Sequence, residues 1–413
     1  MRQMRSYYVL LGLIMLLAAL LRLPWLRTGA VEADLALMGD ESNYVFSAVA
    51  MLEGRLAEQD RVLPWMRAPL MPLVTAGAAL ISRSSPAWTI APTIVVNLGL
   101  LLALVGLVAG ITRLLAGPQV ALAAALGLAL LPSWIFYPQW VLSETLYTTL
   151  LLWILWFVLR TPPGYALRHW LAIGALLGLT ALCRSSALTL VPLLWLAVAW
   201  QTRRWRPALA GVAAITLALG VVLAPWVLRN ALVHGGLIMV DTTGAYNLWQ
   251  DNTPLDRATV KATILDLPGP AERQAYASAA FRRDLLADPG RFGGAALGRV
   301  GRTLLPEQIA ESRNDWLRLY PNHAPAWAEL YAFGSLLGHL LLLPLALLGT
   351  ARLWRGGQRT FALLVAGLTA HYLFQSMLIH YSPRFFVPLL PVYLIPATVA
   401  LAAGRAGWGW LGR

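Results

Sequence analysis

Three acidic side chains stand apart from the rest of the chain and bound the chemistry it could carry. Asp40 and Glu41 are adjacent and lead into an amphipathic stretch, 42–53, with Tyr44, Ala48, Met51 and Leu52 on one side. Such a pair can be a plain N-cap with first-turn charge, worth about 1 kcal/mol or less. It can also supply a carboxylate for proton transfer, and the local sequence leaves both readings open. Glu144 shifts the weight, because it lies four residues into the hydrophobic run that starts at Trp140 and no other acid accompanies such a run. An isolated carboxylate at the mouth of a membrane helix is expensive and marks a functional site by default. Four arginines are placed as oddly: Arg67 before Ala68-Pro69, Arg184 inside an apolar segment, Arg229 after Ala224-Pro225-Trp226, and Arg384 after His380-Tyr381-Ser382-Pro383. Singly, each reads as an interfacial anchor. Together they are the planar, permanently charged donors that suit a lipid phosphate. Trp65, Trp140, Trp226, Trp249, Tyr44, Tyr137 and Tyr246 form either an aromatic belt or stacking platforms for a sugar ring. His234, His323 and His380 are too scattered for a metal site and read as ordinary loop histidines. No phosphate-cradling glycine loop, nucleophile elbow or zinc-binding helix is present. Cys183 is the single cysteine, which excludes a disulfide framework and a multi-cysteine metal centre.

These residues need elements to position them, and composition says which kind. Of 413 residues, 58% are hydrophobic and 12% charged, against about 25% charged in soluble domains. That excludes a soluble globule, a disordered chain and a nucleic-acid-binding module. It implies an all-α polytopic membrane protein. Apolar runs occur near 6–22, 90–112, 119–137, 140–159, 207–228, 331–351, 360–379 and 385–403. The stretch 169–201, broken at Arg184-Ser185-Ser186, reads as two short crossings, for about ten helices in all. The acids fall in 32–60, at Glu144 and in 241–329, whereas Arg2, Arg5, Arg113, Arg160, Arg168, Arg203, Arg204, Arg206, Arg352, Arg355, Arg359, Arg405 and Arg413 have no acid near them. Those 13 arginines equal the net charge of +13. Basic short loops stay cytoplasmic, so ten crossings put both termini inside and every acidic segment outside the cell's inner (plasma) membrane. The basic excess is a topology signal and a contact for membrane lipids, with no nucleic-acid footprint. Residues 69–82 are apolar but short and are expected to lie in the outer interface. The division is then 1–228, a membrane module with its first outer loop at 23–89; 229–330, an outer cap with helices over 271–287 and 291–305; and 331–413, the closing helices.

The string Gly39-Asp40-Glu41-Ser42-Asn43-Tyr44, followed by Ala48 and Leu52-Glu53-Gly54, resembles the first outer loop of GT-C glycosyltransferases. The nearest branch looks like the protein O-mannosyltransferases and lipid A aminoarabinose transferases. Further matches follow in order: Arg67-Ala68-Pro69-Leu70, Leu142-Ser143-Glu144, the Gly174–Arg184 segment, Pro225-Trp226 with Arg229-Asn230, Gly244 with Asn247, and the Tyr381–Pro391 segment. The resemblance implies a GT-C-like fold with interfacial helices in the first outer loop and a partly helical outer cap. It also implies inverting transfer of a sugar from a polyprenyl-phosphate-linked donor to a hydroxyl of a lipid, glycan or protein acceptor. Asp40 is the expected base, with Glu41 and Glu144 as supporting acids. Tyr44, Arg67, Arg184, Arg229, Asn230, Tyr381 and Arg384 are the expected substrate contacts. A divalent metal, Mg or Mn, shared by Asp40 and Glu144 is a further expectation. A flippase of lipid-linked sugars would want similar groups, but transporters show repeated halves and midplane polar sites, and neither is evident. A non-catalytic subunit of a glycan-assembly complex would tolerate neutral residues at Asp40 and Glu144.

Overall fold

The computed structural model describes residues 2–23, 40–82, 90–161, 167–304, 325–380 and 383–402, and every regular element among them is helical. Helix α1 (Arg2–Leu20) is apolar and ends beside Arg22. The first loop follows, with α2 (Asp40–Leu52), α3 (Leu56–Val62) and α4 (Leu70–Ile81). Asp40 and Glu41 sit in the first turn of α2, where acids suit the helix dipole. Gly54 closes that helix at φ +71°, a left-handed position open to glycine. Helix α5 (Ile90–Ala116) has 27 residues, about 40 Å of rise. Gly117 at φ +85° and Pro118 at the first helical position turn the chain straight into α6 (Pro118–Leu130). Pro132 forces Leu131 out of helical geometry. As a result α6 bends by 66° into α7 (Pro132–Phe136) and the turn after it. Arg22 staples this break to α1: its guanidinium, wholly buried, donates to the carbonyls of Ala18, Ala129 and Trp134.

Next come α8 (Glu144–Arg160), α9 (Leu167–Cys183), α10 (Val191–Thr202) and α11 (Trp205–His234). Between α9 and α10 Arg184 is extended and a 3₁₀ turn spans Ser185–Leu190, so the interruption expected at Arg184-Ser185-Ser186 is real. Helix α11 runs six residues past the expected module end at 228. The cap contains α12 (Thr243–Gln250), α13 (Arg257–Leu265), α14 (Pro270–Ala287) and α15 (Pro289–Leu304). The cap therefore has two more helices than expected from periodicity. They are short, yet α13 carries a readable signal: the Asp256 side chain caps it by accepting the Thr259 N–H at 2.9 Å. The chain closes with α16 (Pro325–Arg355), α17 (Arg359–Leu378), a 3₁₀ turn over Pro383–Leu389 and α18 (Leu390–Ala402).

Six helical segments are long and apolar enough to cross a membrane, or seven if α6 and α7 count as one bent span. The chain is thus a multi-pass membrane protein. Helices α8 and α9 fall short at 17 residues each, as does the apolar Met4–Leu20 stretch of α1. One core joins α5, α8 and α9 to α11, α17 and α18. Its tightest seams are glycine-mediated: a Cβ at Gly174 of α9 would strike the Ile215 backbone of α11, and one at Gly349 of α16 would strike the Pro396 backbone of α18. A second, smaller core of Tyr246, Trp249, Val260, Ile264, Ala277 and Ala280 holds the cap together, and Trp65 from the first loop packs against it.

Candidate active site

Three chain segments meet at Asp40. Helix α2 presents it from its first turn, and the opposite carboxylate of that turn explains why the helix docks there. Glu41 is fully buried and accepts the Val141 backbone N–H at 2.7 Å, which ties α2 to the segment preceding α8. Met66 and Thr242 exchange hydrogen bonds in both directions, backbone N–H of Met66 to Thr242 Oγ1 at 2.8 Å and Thr242 N–H to the Met66 carbonyl at 3.2 Å. That pairing holds Arg67 against the start of the cap. The 3₁₀ turn before α18 brings Arg384.

Both oxygens of Asp40 carry guanidinium donors. Arg67 donates to Oδ1 and Arg384 to Oδ2, the latter at 2.6 Å. Arg384 also lies 2.7 Å from Glu144 Oε1 through Nε, so one guanidinium bridges the two carboxylates that the sequence singles out. Arg184 pairs with the same Glu144 oxygen and donates to Ser143 Oγ at 2.7 Å. The Tyr44 hydroxyl reaches Ser143 Oγ at 3.2 Å, and the Arg67 guanidinium lies over the Tyr44 and Trp65 rings, 5.6 and 5.3 Å from their centroids. Three guanidinium groups thus meet two carboxylates, and a third carboxylate, Asp241, lines the same cavity within electrostatic reach of Arg67. Burial alone would push the Asp40 carboxyl up, but Arg384 and then Arg67 outweigh it and hold the group well below the ordinary aspartate value.

This cluster forms the floor of a cavity of about 810 Å³. Asp40, Tyr44, Arg67, Arg184 and Arg384 line it. Glu144 is 1% exposed and sits behind the arginines, while Asp40 is 27% exposed. The remaining expected residues take other places. Arg229 lies off the cavity: it pairs with Asp60 at 2.8 Å, stacks over Trp226 and donates to Asn230. Asn230 is buried and its amide donates to the Ile238 carbonyl. Both therefore brace the junction of α11 with the first loop, because Asp60 supplies the counter-charge that a phosphate was expected to provide. Glu41 is likewise a fastener of α2 and does not line the cavity. Tyr381 and His323 fall outside the described residues.

A further part of the lining comes from the cap and from the segment before α18, and its chemistry was not legible residue by residue. Asp251, 4% exposed, accepts both the backbone N–H and the ring Nδ1–H of His380 at 2.8 Å through one oxygen. Burial pushes Asp251 up, and His380 with Arg257 brings it below the ordinary range. Arg257 and Lys261 complete that part of the lining. The signal for Asp251 was a carboxylate at the end of α12, but its partner is 129 residues away.

The donor set does not fit a divalent ion between Asp40 and Glu144. A guanidinium already occupies that position, both Asp40 oxygens are engaged, and no three His, Cys, Asp or Glu side chains converge among the described residues. A second cation placed there would meet Arg384 head-on. What the arrangement can do is hold a phosphate on arginines beside a carboxylate.

No family model and no curated protein matches the chain. Solved structures do. The Archaeoglobus fulgidus oligosaccharyltransferase in its apo form matches with a TM-score of 0.56 at 13% identity, covering 96% of this chain and 50% of the other. The same enzyme, AglB, in complex with an inhibitory peptide and a dolichol-phosphate, matches with a TM-score of 0.53 at 14% identity, covering 97% and 50%. ArnT from Cupriavidus metallidurans bound to undecaprenyl phosphate overlaps more loosely, with a TM-score of 0.43 at 13% identity over 96% and 77%. The chain therefore has a GT-C-like fold and spans about half the length of the archaeal enzyme.

Proposed function

We propose that the protein is a GT-C glycosyltransferase that moves a sugar from a polyprenyl-phosphate carrier to an acceptor hydroxyl, with inversion, at the outer face of the plasma membrane. The observation that carries this reading is the single guanidinium of Arg384 bridging Asp40 and Glu144 on the cavity floor. With Arg67 and Arg184 it gives the floor three permanently charged donors suited to the phosphodiester of the donor. In the reaction the acceptor oxygen attacks the anomeric carbon as the bond to the phosphate breaks. The electron pair leaves on the lipid phosphate, where the arginines stabilise the second charge. Asp40 takes the hydroxyl proton, and this requires the donor phosphate to draw Arg67 and Arg384 off its oxygens first. Glu144 stays behind as the fixed counter-charge that keeps Arg184 and Arg384 aimed at the cavity. The shared fold with AglB, whose structure holds a dolichol-phosphate, supports the carrier class.

The full chain in lipid nanodiscs, given a panel of undecaprenyl-phosphate sugars with a mixed lipid and glycan acceptor extract, should release free undecaprenyl phosphate. Arg384→Ala should weaken undecaprenyl phosphate binding and stop that release. Binding that is indifferent to both Arg67→Ala and Arg384→Ala would remove the phosphate from this floor. Ten crossings are consistent with this placement: α1, α5, α6 with α7, α8, α9, α10 with its 3₁₀ turn, α11, α16, α17 and α18 each coincide with one expected run.

A further inference from the structure

Part of the cavity lining carries charged groups that do not pair with Asp40 or Glu144. Asp251 receives two hydrogen bonds from His380 through one oxygen, and it is buried. Holding Nδ1–H in this way fixes the ring's tautomer and orientation. Nε2 is then the nitrogen left without a protein partner among the described residues, on a ring that is 34% exposed and lines the cavity. In the neutral ring that atom accepts a hydrogen bond from a hydroxyl. Beside it, Arg257 stands 3.6 Å from the other Asp251 oxygen. Lys261, one turn further along α13, lines the cavity and has no acidic partner among the described residues. Asp251 thus has Arg257 beside it, and Lys261 adds a second cation to the cavity lining. Positive charge in a cleft with apolar walls focuses its field on whatever anion enters.

We infer that His380, Arg257 and Lys261 form an acceptor subsite for a hydroxylated group carrying a carboxylate or a phosphate. The inference rests on the transfer reading above and narrows its acceptor. His380 Nε2 receives a hydroxyl of the incoming group while Arg257 and Lys261 take its negative charge. Asp251 is the positioning residue that keeps the imidazole turned to the cavity.

Lys261 is the only lysine of the chain, so acylation of ε-amines reads this one side chain by mass spectrometry. In nanodiscs preloaded with undecaprenyl phosphate, glucuronate and glucose 6-phosphate should slow acylation of Lys261 several-fold, and glucose should not. The two anionic probes separate a carboxylate from a phosphate source. Arg257→Gln, at a 72% exposed position where folding is not at stake, should raise the half-protecting concentration about tenfold, and His380→Gln should do the same. Equal protection by glucose, or no protection by any of the three sugars, overturns the subsite. Full protection by undecaprenyl phosphate alone also overturns it, by assigning this part of the lining to the donor. Undecaprenyl phosphate binding by the Arg67 and Arg384 variants is measured separately, so a failed subsite and a failed transfer reading give different results.

Discussion

Asp40 is gripped by the groups that a donor phosphate would claim, and this sets the expected behaviour of its variants. Neutralising it removes the carboxylate partner of Arg67 and one of the two carboxylate partners of Arg384. Asp40→Asn should therefore bind undecaprenyl phosphate at least as tightly as the parent in a calorimetric titration. Its transfer rate should still fall by about 10²–10⁴, the range a general base contributes. Weaker lipid binding by this variant would mean that the carboxylate helps hold the phosphate. The same grip makes a pH prediction. The folded-state pKa of Asp40 is depressed, so its ion pairs contribute stability that is complete above the ordinary aspartate value of about 4 and drains away as pH falls below it. Thermal melts of the parent and of Asp40→Asn should converge in acid and diverge above about pH 5. Parallel curves across that range would place Asp40 outside a working ion pair.

At the scale of the element, the site depends on how α2 is fastened. Glu41 accepts the buried Val141 N–H, and Glu41→Ala leaves that donor unpaired at a cost of about 1–3 kcal/mol. A lowered melting temperature, together with a loss of transfer that greater lipid-phosphate concentration does not restore, is the expected pair of results. An unshifted melt would show α2 to be held elsewhere. The seam between α9 and α11 is as demanding: Gly174→Val drives side-chain atoms into the Ile215 backbone, and overpacking of this kind costs about 1–3 kcal/mol or more. Size-exclusion profiles in detergent should show aggregation or loss of yield for it, but not for Gly99→Ala, where a Cβ meets nothing within 4 Å. Much of this was legible in the sequence because charge is so rare in it. Glu144 and Arg184 announced themselves by interrupting apolar runs, and the structure brings both to the floor. Arg229 announced itself equally well yet turns out to answer Asp60, 169 residues earlier. A lone charge shows that a partner exists, but the partner's identity is a property of the fold. The short helices α12 and α13 escaped for a different reason: at eight and nine residues they carry too few turns for a hydrophobic period to register.

For the whole molecule, the arrangement of crossings is the testable quantity. Ten crossings with the positive short loops inside would put the turns around Gln119 and Arg359 on the inner side and α13 with its following residues on the outer side. Cys183 is buried, so the parent should give little background with a membrane-impermeant maleimide. In intact cells Asp266→Cys should label at once, and Gln119→Cys and Arg359→Cys only after permeabilisation. Labelling of all three from one side would require a different number of spans. The helical, multi-pass character was readable from composition alone, since apolar length is a one-dimensional signal. The cavity was not, because its walls are drawn from the first loop, the cap and the segment before α18, which only the packed bundle brings together.

The turn that carries Arg384 continues directly into α18, and the far half of α18 is wedged at Pro396 against Gly349. A helix seated this tightly passes a displacement at Pro396 on to the turn that lines the cavity. Even a methyl group added at Gly349 would meet the Pro396 backbone, so a purely hydrophobic change remote from the cavity should register as a displacement of the Arg384 guanidinium.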